Sequence, residues 1–137
     1  MAGEPTQQRR LAAILAADVV GYSRLMEADE AGTLAALKER RKGILQPLVA
    51  EHHGRIIKVM GDGVLVEFAS AVNAVACAVE LQKRMAAAND GVLEQQRIML
   101  RATIALMTAP HIAIKRRSAG HPVRFALARH LDRLRLL

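Results

Sequence analysis

The stretch that decides the fold is LAAILAADVVGYSRLM, residues 11–26. It begins as an uninterrupted run of apolar residues, which is typical of a strand buried on both faces. The run stops at an acid, Asp18, and Gly21 then turns the chain into a short helix predicted for residues 23–28. A carboxylate at the end of a buried strand calls for an explanation, which a second stretch of sequence provides.

That second stretch is RIIKVMGDGVLVEF, residues 55–68, and it carries an acid, Asp62, at its centre. Two strands are predicted, at 55–60 and 64–68. Gly61-Asp62-Gly63 is predicted to be the hairpin turn between them, because Asp-Gly readily adopts positive φ.

The remaining segments predict two helices and a fourth strand. The first helix runs from about residue 30 to residue 52, with Asp29 as its cap, Pro47 in its last turns and Gly54 at its stop. The second runs from Ala71 to Ala88, and the last strand from residue 96 or 97 to about 106. The order β-α-β-β-α-β predicts an α+β fold, a ferredoxin-like sandwich with one antiparallel-rich sheet and its helices on one face.

Each long helix is expected to bury one apolar stripe. The expected stripe of the first helix is Leu34, Leu37, Ile44, Leu45 and Leu48. That of the second helix is Val72, Val75, Ala76 and Val79.

This topology predicts that the two acids are neighbours. The first strand ends at Asp18, the long helix brings the chain back, and the next strand ends in the hairpin that carries Asp62. Both acids therefore lie at the same edge of the sheet, where two carboxylates can share hard cations such as magnesium. The backbone amides of Val20, Gly21 and Tyr22 lead into a helix N-terminus and are candidates to bind the phosphates of a nucleoside triphosphate.

LAADVVGYSRLM followed by RIIKVMGDGVLVEF resembles the class III adenylate/guanylate cyclase catalytic domain over residues 10–101. The resemblance implies conversion of ATP or GTP into a 3′,5′-cyclic nucleotide and pyrophosphate, with two Mg²⁺ or Mn²⁺ per site, in cyclic-nucleotide signalling. It implies that Asp18 and Asp62 bind the metals, with the backbone carbonyl of Val19 as a further ligand. Lys58 matches the lysine that contacts the purine in adenylate cyclases.

The resemblance also implies a dimer. In this family the metal-binding acids of each site come from one chain and the purine-reading groups from its partner. We therefore expect a homodimer, or a heterodimer with an intact cyclase chain.

The composition changes near Arg101. Residues 1–101 hold 13 Lys/Arg and 12 Asp/Glu, whereas residues 102–137 hold 7 basic residues and one acid, Asp132. The family continues with a purine-reading Asp or Thr, a ribose-orienting Asn and a phosphate-stabilising Arg. No Asn follows Asn89 here, and no acid lies between Glu94 and Asp132.

Two explanations of this change stay open. Either the reading frame shifts near residue 101, so that the domain is truncated after its fourth core strand, or residues 102–137 are a genuine basic tail with an amphipathic helix at 122–137. The predicted organisation is a flexible N-terminus at 1–9, a partial cyclase domain at 10–101 and the atypical tail at 102–137. With the later motifs missing, little or no turnover by this chain alone is expected.

Two other functions are alternatives to a cyclase that works alone. One is a non-catalytic dimerisation partner of an intact cyclase, and the other is a nucleic-acid or membrane-surface binder acting through the basic tail. Only 2% of residues are aromatic, which disfavours base stacking, so no specific nucleic acid is expected. A single cysteine, Cys77, and the lack of an apolar run of roughly 20 residues favour a cytoplasmic protein without a membrane span.

Overall fold

The computed structural model describes residues 11–108. Four antiparallel strands form one sheet in the order β2-β3-β1-β4. The strands are β1 (Leu11–Val19), β2 (Gly54–Val59), β3 (Gly63–Phe68) and β4 (Leu100–Thr108). The helices are α1 (Tyr22–Ala28), α2 (Glu30–Arg40), α3 (Gln46–Glu51) and α4 (Ala71–Ala88). The predicted α+β class and βαββαβ order are confirmed.

Strand β1 is the centre of the core because it is apolar on both faces. Its residues Ala13, Leu15, Ala17 and Val19 belong to the large cluster formed with the helices. Ala12 and Ile14 face the other way and pack with Leu65 of β3 in a second, smaller cluster. Full burial of a side chain such as Leu15, 0% exposed, contributes about 1.5–3 kcal/mol.

The predicted long helix is present, but it contains a π turn. Asp29 caps α2, since the amide of Gly32 donates to Asp29 Oδ1 across 3.0 Å, as predicted. A π turn, Arg41–Leu45, then joins α2 to α3 and ends two residues before Pro47. Proline has no N–H to donate back along the helix, so the ladder must be rearranged there.

Gly54 was predicted to end the long helix, but another residue does so. The left-handed residue after the helix is His53, with φ 57°, and Gly54 already belongs to β2. A Cβ added at Gly54 would meet the Phe68 ring at 2.5 Å. The glycine is therefore needed for close packing of that ring rather than for helix termination.

The predicted buried stripe of α4 was also wrong. Val72, Val75 and Val79 are 77%, 50% and 49% exposed. The buried residues are those of a neighbouring stripe: Ala74, Cys77, Ala78, Leu81 and Met85. The valine stripe runs into Gln82 and Lys83 one turn later, whereas the other stripe stays apolar to the end of the helix, so it buries more area. On α2, Leu34 is likewise 47% exposed.

Strand β4 extends past the change in composition. It pairs with β1 along its whole length, from Leu100 opposite Val19 to Thr108 opposite Leu11. The proposed boundary at residue 101 therefore falls inside a strand, although the division of the chain into a domain and a tail stays a prediction. The strand begins at Leu100, later than predicted, because a 3-10 turn (Glu94–Gln96) precedes it.

Within residues 11–108, no helix combines the length and the apolar character required to cross a membrane. The predicted flexible N-terminus at 1–9 and the predicted helix at 122–137 lie outside the described residues.

Candidate functional site

The two acids are neighbours at one edge of the sheet. Asp18 on β1 is paired with Gly63, the residue directly after Asp62. The backbone amide of Val19 donates to the carbonyl oxygen of Asp62 across 2.7 Å. Paired Cα atoms in an antiparallel ladder lie about 4.5–5.5 Å apart, so the acids are adjacent, as predicted. Asp62 is exposed and Asp18 half-buried; their metal-binding role stays a prediction.

The hairpin that carries Asp62 does not have the predicted conformation. The described glycines with positive φ are Gly21 and Gly91, and none is in this turn. The turn closes through Met60 N–H to Gly63 O, 2.8 Å, and Gly63 N–H to Met60 O, 3.4 Å. A Cβ at Gly63 would lie 2.8 Å from the Ala17 carbonyl oxygen. Glycine is thus required there because β1 passes so close.

A β-bulge positions Lys58. Ile56 pairs with Val66, but the next pair is Lys58 with Leu65, so Ile57 is an extra residue in β2. In a regular strand Lys58 would face the same side as Ile56, which packs toward the helices. The bulge instead puts it opposite Leu65, on the helix-free face of the sheet. Val59, the next residue of β2, is 43% exposed.

Asp18 shares this face with Lys58. In β1 the residues Ala12, Ile14, Ala16 and Asp18 alternate with those that face the helices, and Ala16 pairs with Leu65. Two strand spacings separate β1 from β2, or about 10 Å. Lys58 and Asp18 are therefore on one surface of the chain, with strand β3 between the strands that carry them.

The turn after β1 has one amide fewer for phosphate than predicted. The amide of Val20 donates to the carbonyl oxygen of Met99 across 2.8 Å, so its only donor is used within the sheet. Gly21 is left-handed, with φ 68° and ψ 32°, and is the N-cap of α1. The amides of Gly21 and Tyr22 stand at the helix start, where amides have no acceptor within the helix.

Tyr22 connects this turn to the hairpin. Its ring packs against the main core cluster. A Cβ at Gly61 would lie 3.2 Å from the Tyr22 hydroxyl oxygen, so the phenol rests against the hairpin backbone. The sequence signal for this contact is weak, because an aromatic residue after a glycine predicts packing but not the segment it contacts.

The donors at this edge suit a hard divalent cation. They are carboxylate and backbone carbonyl oxygens, which Mg²⁺ and Mn²⁺ prefer. Among residues 11–108, no group of three or more His, Cys, Asp or Glu side chains is arranged to hold a metal ion. A cation here would therefore complete its coordination with water or phosphate oxygens, which is how Mg²⁺ is commonly bound beside nucleotides.

Comparisons with known proteins point in the same direction. No protein-family model matches the chain. The chain is 61% identical over 99 residues to "Putative adenylate cyclase 3" of Rhizobium meliloti (strain 1021). That match covers 72% of this chain but only 17% of the relative's length.

Solved structures agree on the fold. An adenylate/guanylate cyclase/hydrolase from Silicibacter pomeroyi is 40% identical with a TM-score of 0.67, and the match covers 74% of this chain and 59% of that one. The guanylyl cyclase Cya2 is 28% identical with a TM-score of 0.62, over 79% of this chain and 57% of that one.

The described residues thus form part of a class III adenylate/guanylate cyclase domain. The chain spans less than two thirds of each relative that it matches, so what those proteins catalyse as a whole is not carried over with the fold.

Proposed function

We propose that this chain binds a nucleoside triphosphate together with Mg²⁺ or Mn²⁺ at the edge that carries Asp18 and Asp62. The observation that carries the proposal is the hydrogen bond from Val19 to Asp62, which holds the two acids side by side. The similarity to nucleotide cyclases supports ATP or GTP as the triphosphate. The reaction to which this half-site belongs is cyclisation to a 3′,5′-cyclic nucleotide with release of pyrophosphate.

The residues have separate tasks in this proposal. Asp18, Asp62 and the carbonyl of Val19 hold the cations, and the amides of Gly21 and Tyr22 donate to phosphate oxygens. When bound, the cations lower the pKa of the ribose 3′-hydroxyl and neutralise the departing pyrophosphate. The buried wall behind Asp18, built from β1 and β3, keeps the acids fixed so that little reorganisation accompanies binding.

The position of Lys58 supports a dimer. Lys58 is on the same face as Asp18, two strand spacings away, so both residues belong to one surface that a dimer could bury. If the twofold axis of a dimer that buries this face passes between Lys58 and Asp18, each Lys58 lies opposite the acids of the partner subunit, because an isologous interface pairs the same surface reciprocally. Lys58 then reads the base at the partner's site.

We further propose that this chain alone turns over slowly or not at all. Within its 137 residues no Asn follows Asn89, so the ribose-orienting group of the family has no counterpart. Loss of one positioned group that stabilises the transition state typically costs roughly 10²–10³-fold in rate. A partner role, in which the chain lends its acids or Lys58 to an intact cyclase, fits the same residues.

A binding titration tests the core of the proposal. A non-hydrolysable ATP analogue is titrated calorimetrically in the presence of Mn²⁺ into wild type, Asp62→Asn and Glu51→Gln. Glu51 is an exposed acid at the end of α3, just before the start of β2, whereas the hairpin follows the end of β2. Binding at least 10-fold weaker for Asp62→Asn, with Glu51→Gln unchanged, supports the site; equal affinity in all three proteins rules it out.

A further inference from the structure

A cavity lies away from the edge of the sheet that carries Asp18 and Asp62. It has a volume of about 500 Å³ and is bounded by α1, α2 and the segment before β4. Neither Asp18 nor Asp62 lines it. Its volume falls within the range of small-molecule sites, roughly 300–1,000 Å³. We call it the Arg40 cleft.

The charge in this cleft is incompletely paired. The Arg40 side chain is only 18% exposed, and its Nη2 donates to the carbonyl oxygen of Ala88 across 3.0 Å. Its nearest acid is Glu39, 3.8 Å away and 77% exposed, which is a weak partner in solvent. Among residues 11–108, the buried Nε atom of Arg40 has no hydrogen-bond partner. A guanidinium never loses its charge, so a mostly buried one that lines a cavity favours an anion there.

The walls of the cleft are mainly apolar. Leu25, Val92, Leu93 and Ile98 line it, and Leu93 is 63% exposed. An exposed leucine beside a cavity gains from contact with an apolar ligand. The acid in the lining, Asp29, accepts from the Gly32 amide and adds one negative charge. That negative charge repels ligands that carry several negative charges, such as phosphate esters.

We propose that the Arg40 cleft binds a small aliphatic monocarboxylate. The carboxylate accepts from the Arg40 guanidinium, and the alkyl chain packs on Leu25, Leu93 and Ile98. Arg40 and Ile98 also line a smaller cavity of about 60 Å³ that reaches the hairpin at Gly61, Asp62 and Gly63. The ligand therefore contacts two side chains that also line this smaller cavity.

The experiment titrates the ¹⁵N-labelled full chain with hexanoate, 1-hexanol and acetate. Hexanoate is expected to give saturable shifts of the amides of Thr33, Ala36 and Val92, with affinity at least 10-fold above that of hexanol and acetate. Leu93→Ser weakens hexanoate at least 3-fold, and Arg40→Gln at least 10-fold. Leu34→Ser, an exposed position on α2 outside the cleft, leaves it unchanged.

Three outcomes overturn the proposal: equal affinity for hexanol and hexanoate, saturable shifts confined to residues outside the cleft, or no saturation. If Arg40→Gln does not fold, the comparison of the three probes on wild type and the Leu93→Ser variant still decide. The outcome is independent of the proposed function, because no metal or nucleotide is present.

Discussion

The amide of Val19 and the carbonyl oxygen of Asp62 are 2.7 Å apart, so the main chain itself joins the two acidic segments. A backbone bond of this kind does not depend on either carboxylate. The acids are thus mounted on a frame that persists when their side chains change, and binding and folding can be tested separately.

The tight passage of β1 past the hairpin predicts that Gly63→Ala is destabilising. The new methyl group would lie 2.8 Å from the Ala17 carbonyl oxygen, and relief requires a shift of backbone. We expect a loss of about 1–3 kcal/mol in the free energy of unfolding, measured by urea denaturation. Gly43→Ala is the control: a Cβ there meets nothing within 4 Å, and stability should stay equal or rise by up to about 1 kcal/mol. Equal stability of Gly63→Ala and wild type would contradict the close approach.

Asn89 is expected to be essential for the start of β4. Its Nδ2 donates to the Ile98 carbonyl oxygen at 3.0 Å, and its Oδ1 accepts from the Ile98 amide at 3.1 Å. Asn89→Ala leaves both buried backbone groups without partners, at a cost of about 1–3 kcal/mol for each unsatisfied group. Thermal unfolding should show a clear drop for Asn89→Ala and almost none for Asn73→Ala; similar melting temperatures would sink the prediction.

The orientation of α4 predicts a contrast between adjacent positions. Val75 is 50% exposed, so Val75→Lys should change the free energy of unfolding by less than about 0.5 kcal/mol. Ala74 is fully buried, and Ala74→Lys forces a charge and a long chain into the core, with a loss of several kcal/mol or failure to fold. Chemical denaturation of both variants checks this. A larger loss in the free energy of unfolding for Val75→Lys than for Ala74→Lys would show that the valine stripe is the buried face.

Cys77 is expected to be unreactive in the folded protein. Burial raises the pKa of its thiol above the ordinary value of 9.0, and the negative charge of Glu51 adds to the effect. The thiolate is the reactive form, so Ellman's reagent should label the native chain far more slowly than the urea-unfolded chain at pH 8. Rapid labelling of the native protein would contradict this burial.

The same shift predicts a pH dependence. The unfolded thiol ionises near pH 9, while the folded thiol stays neutral to higher pH. The contribution of this group to stability is therefore complete below pH 9 and is lost as the pH rises through the folded pKa. Comparison of wild type with Cys77→Ala across pH 7–10.5 isolates it: the stability difference between them should shrink as the pH rises.

Lys58 should be separable from the proposed metal site. Because strand β3 lies between the strands that carry Lys58 and Asp18, Lys58→Ala is expected to leave the affinity for Mn²⁺ alone unchanged, whereas Asp18→Asn lowers it at least 10-fold. Titration calorimetry with MnCl₂ makes the comparison. A parallel fall in both variants would show that Lys58 and Asp18 act on one ligand within one chain.

Prediction from sequence succeeded where a strong local signal and the topology agreed. The helix at Ala71–Ala88 was predicted to the residue from its apolar residues at helical spacing, and the structure shows that Ser70 caps it by accepting from the amide of Asn73. The neighbourhood of Asp18 and Asp62 followed from the order of the strands, which depends on the hydrophobic pattern and not on fine geometry.

Prediction failed where two stripes of a helix have the same spacing of apolar residues. It also failed where one extra residue changes the register of a strand. The valines of α4 and the stripe through Ala74 both recur at helical spacing, and only the packed sheet chooses between them. The bulge at Ile57 leaves no trace in the composition of β2. The use of the Val20 amide by Met99 depends on a strand pairing 79 residues away, which no local pattern encodes.

The hydrogen bond between Val19 and Asp62 also means that the backbone geometry of this edge can be inherited when the catalytic side chains are not. Mutation replaces side chains but leaves the peptide groups, so a gene copy that loses an essential group elsewhere keeps this geometry unaltered. Natural selection can then reuse such a copy as a passive companion of its active relatives. Likeness of form among these proteins is accordingly a record of ancestry, and turnover must be measured for each one.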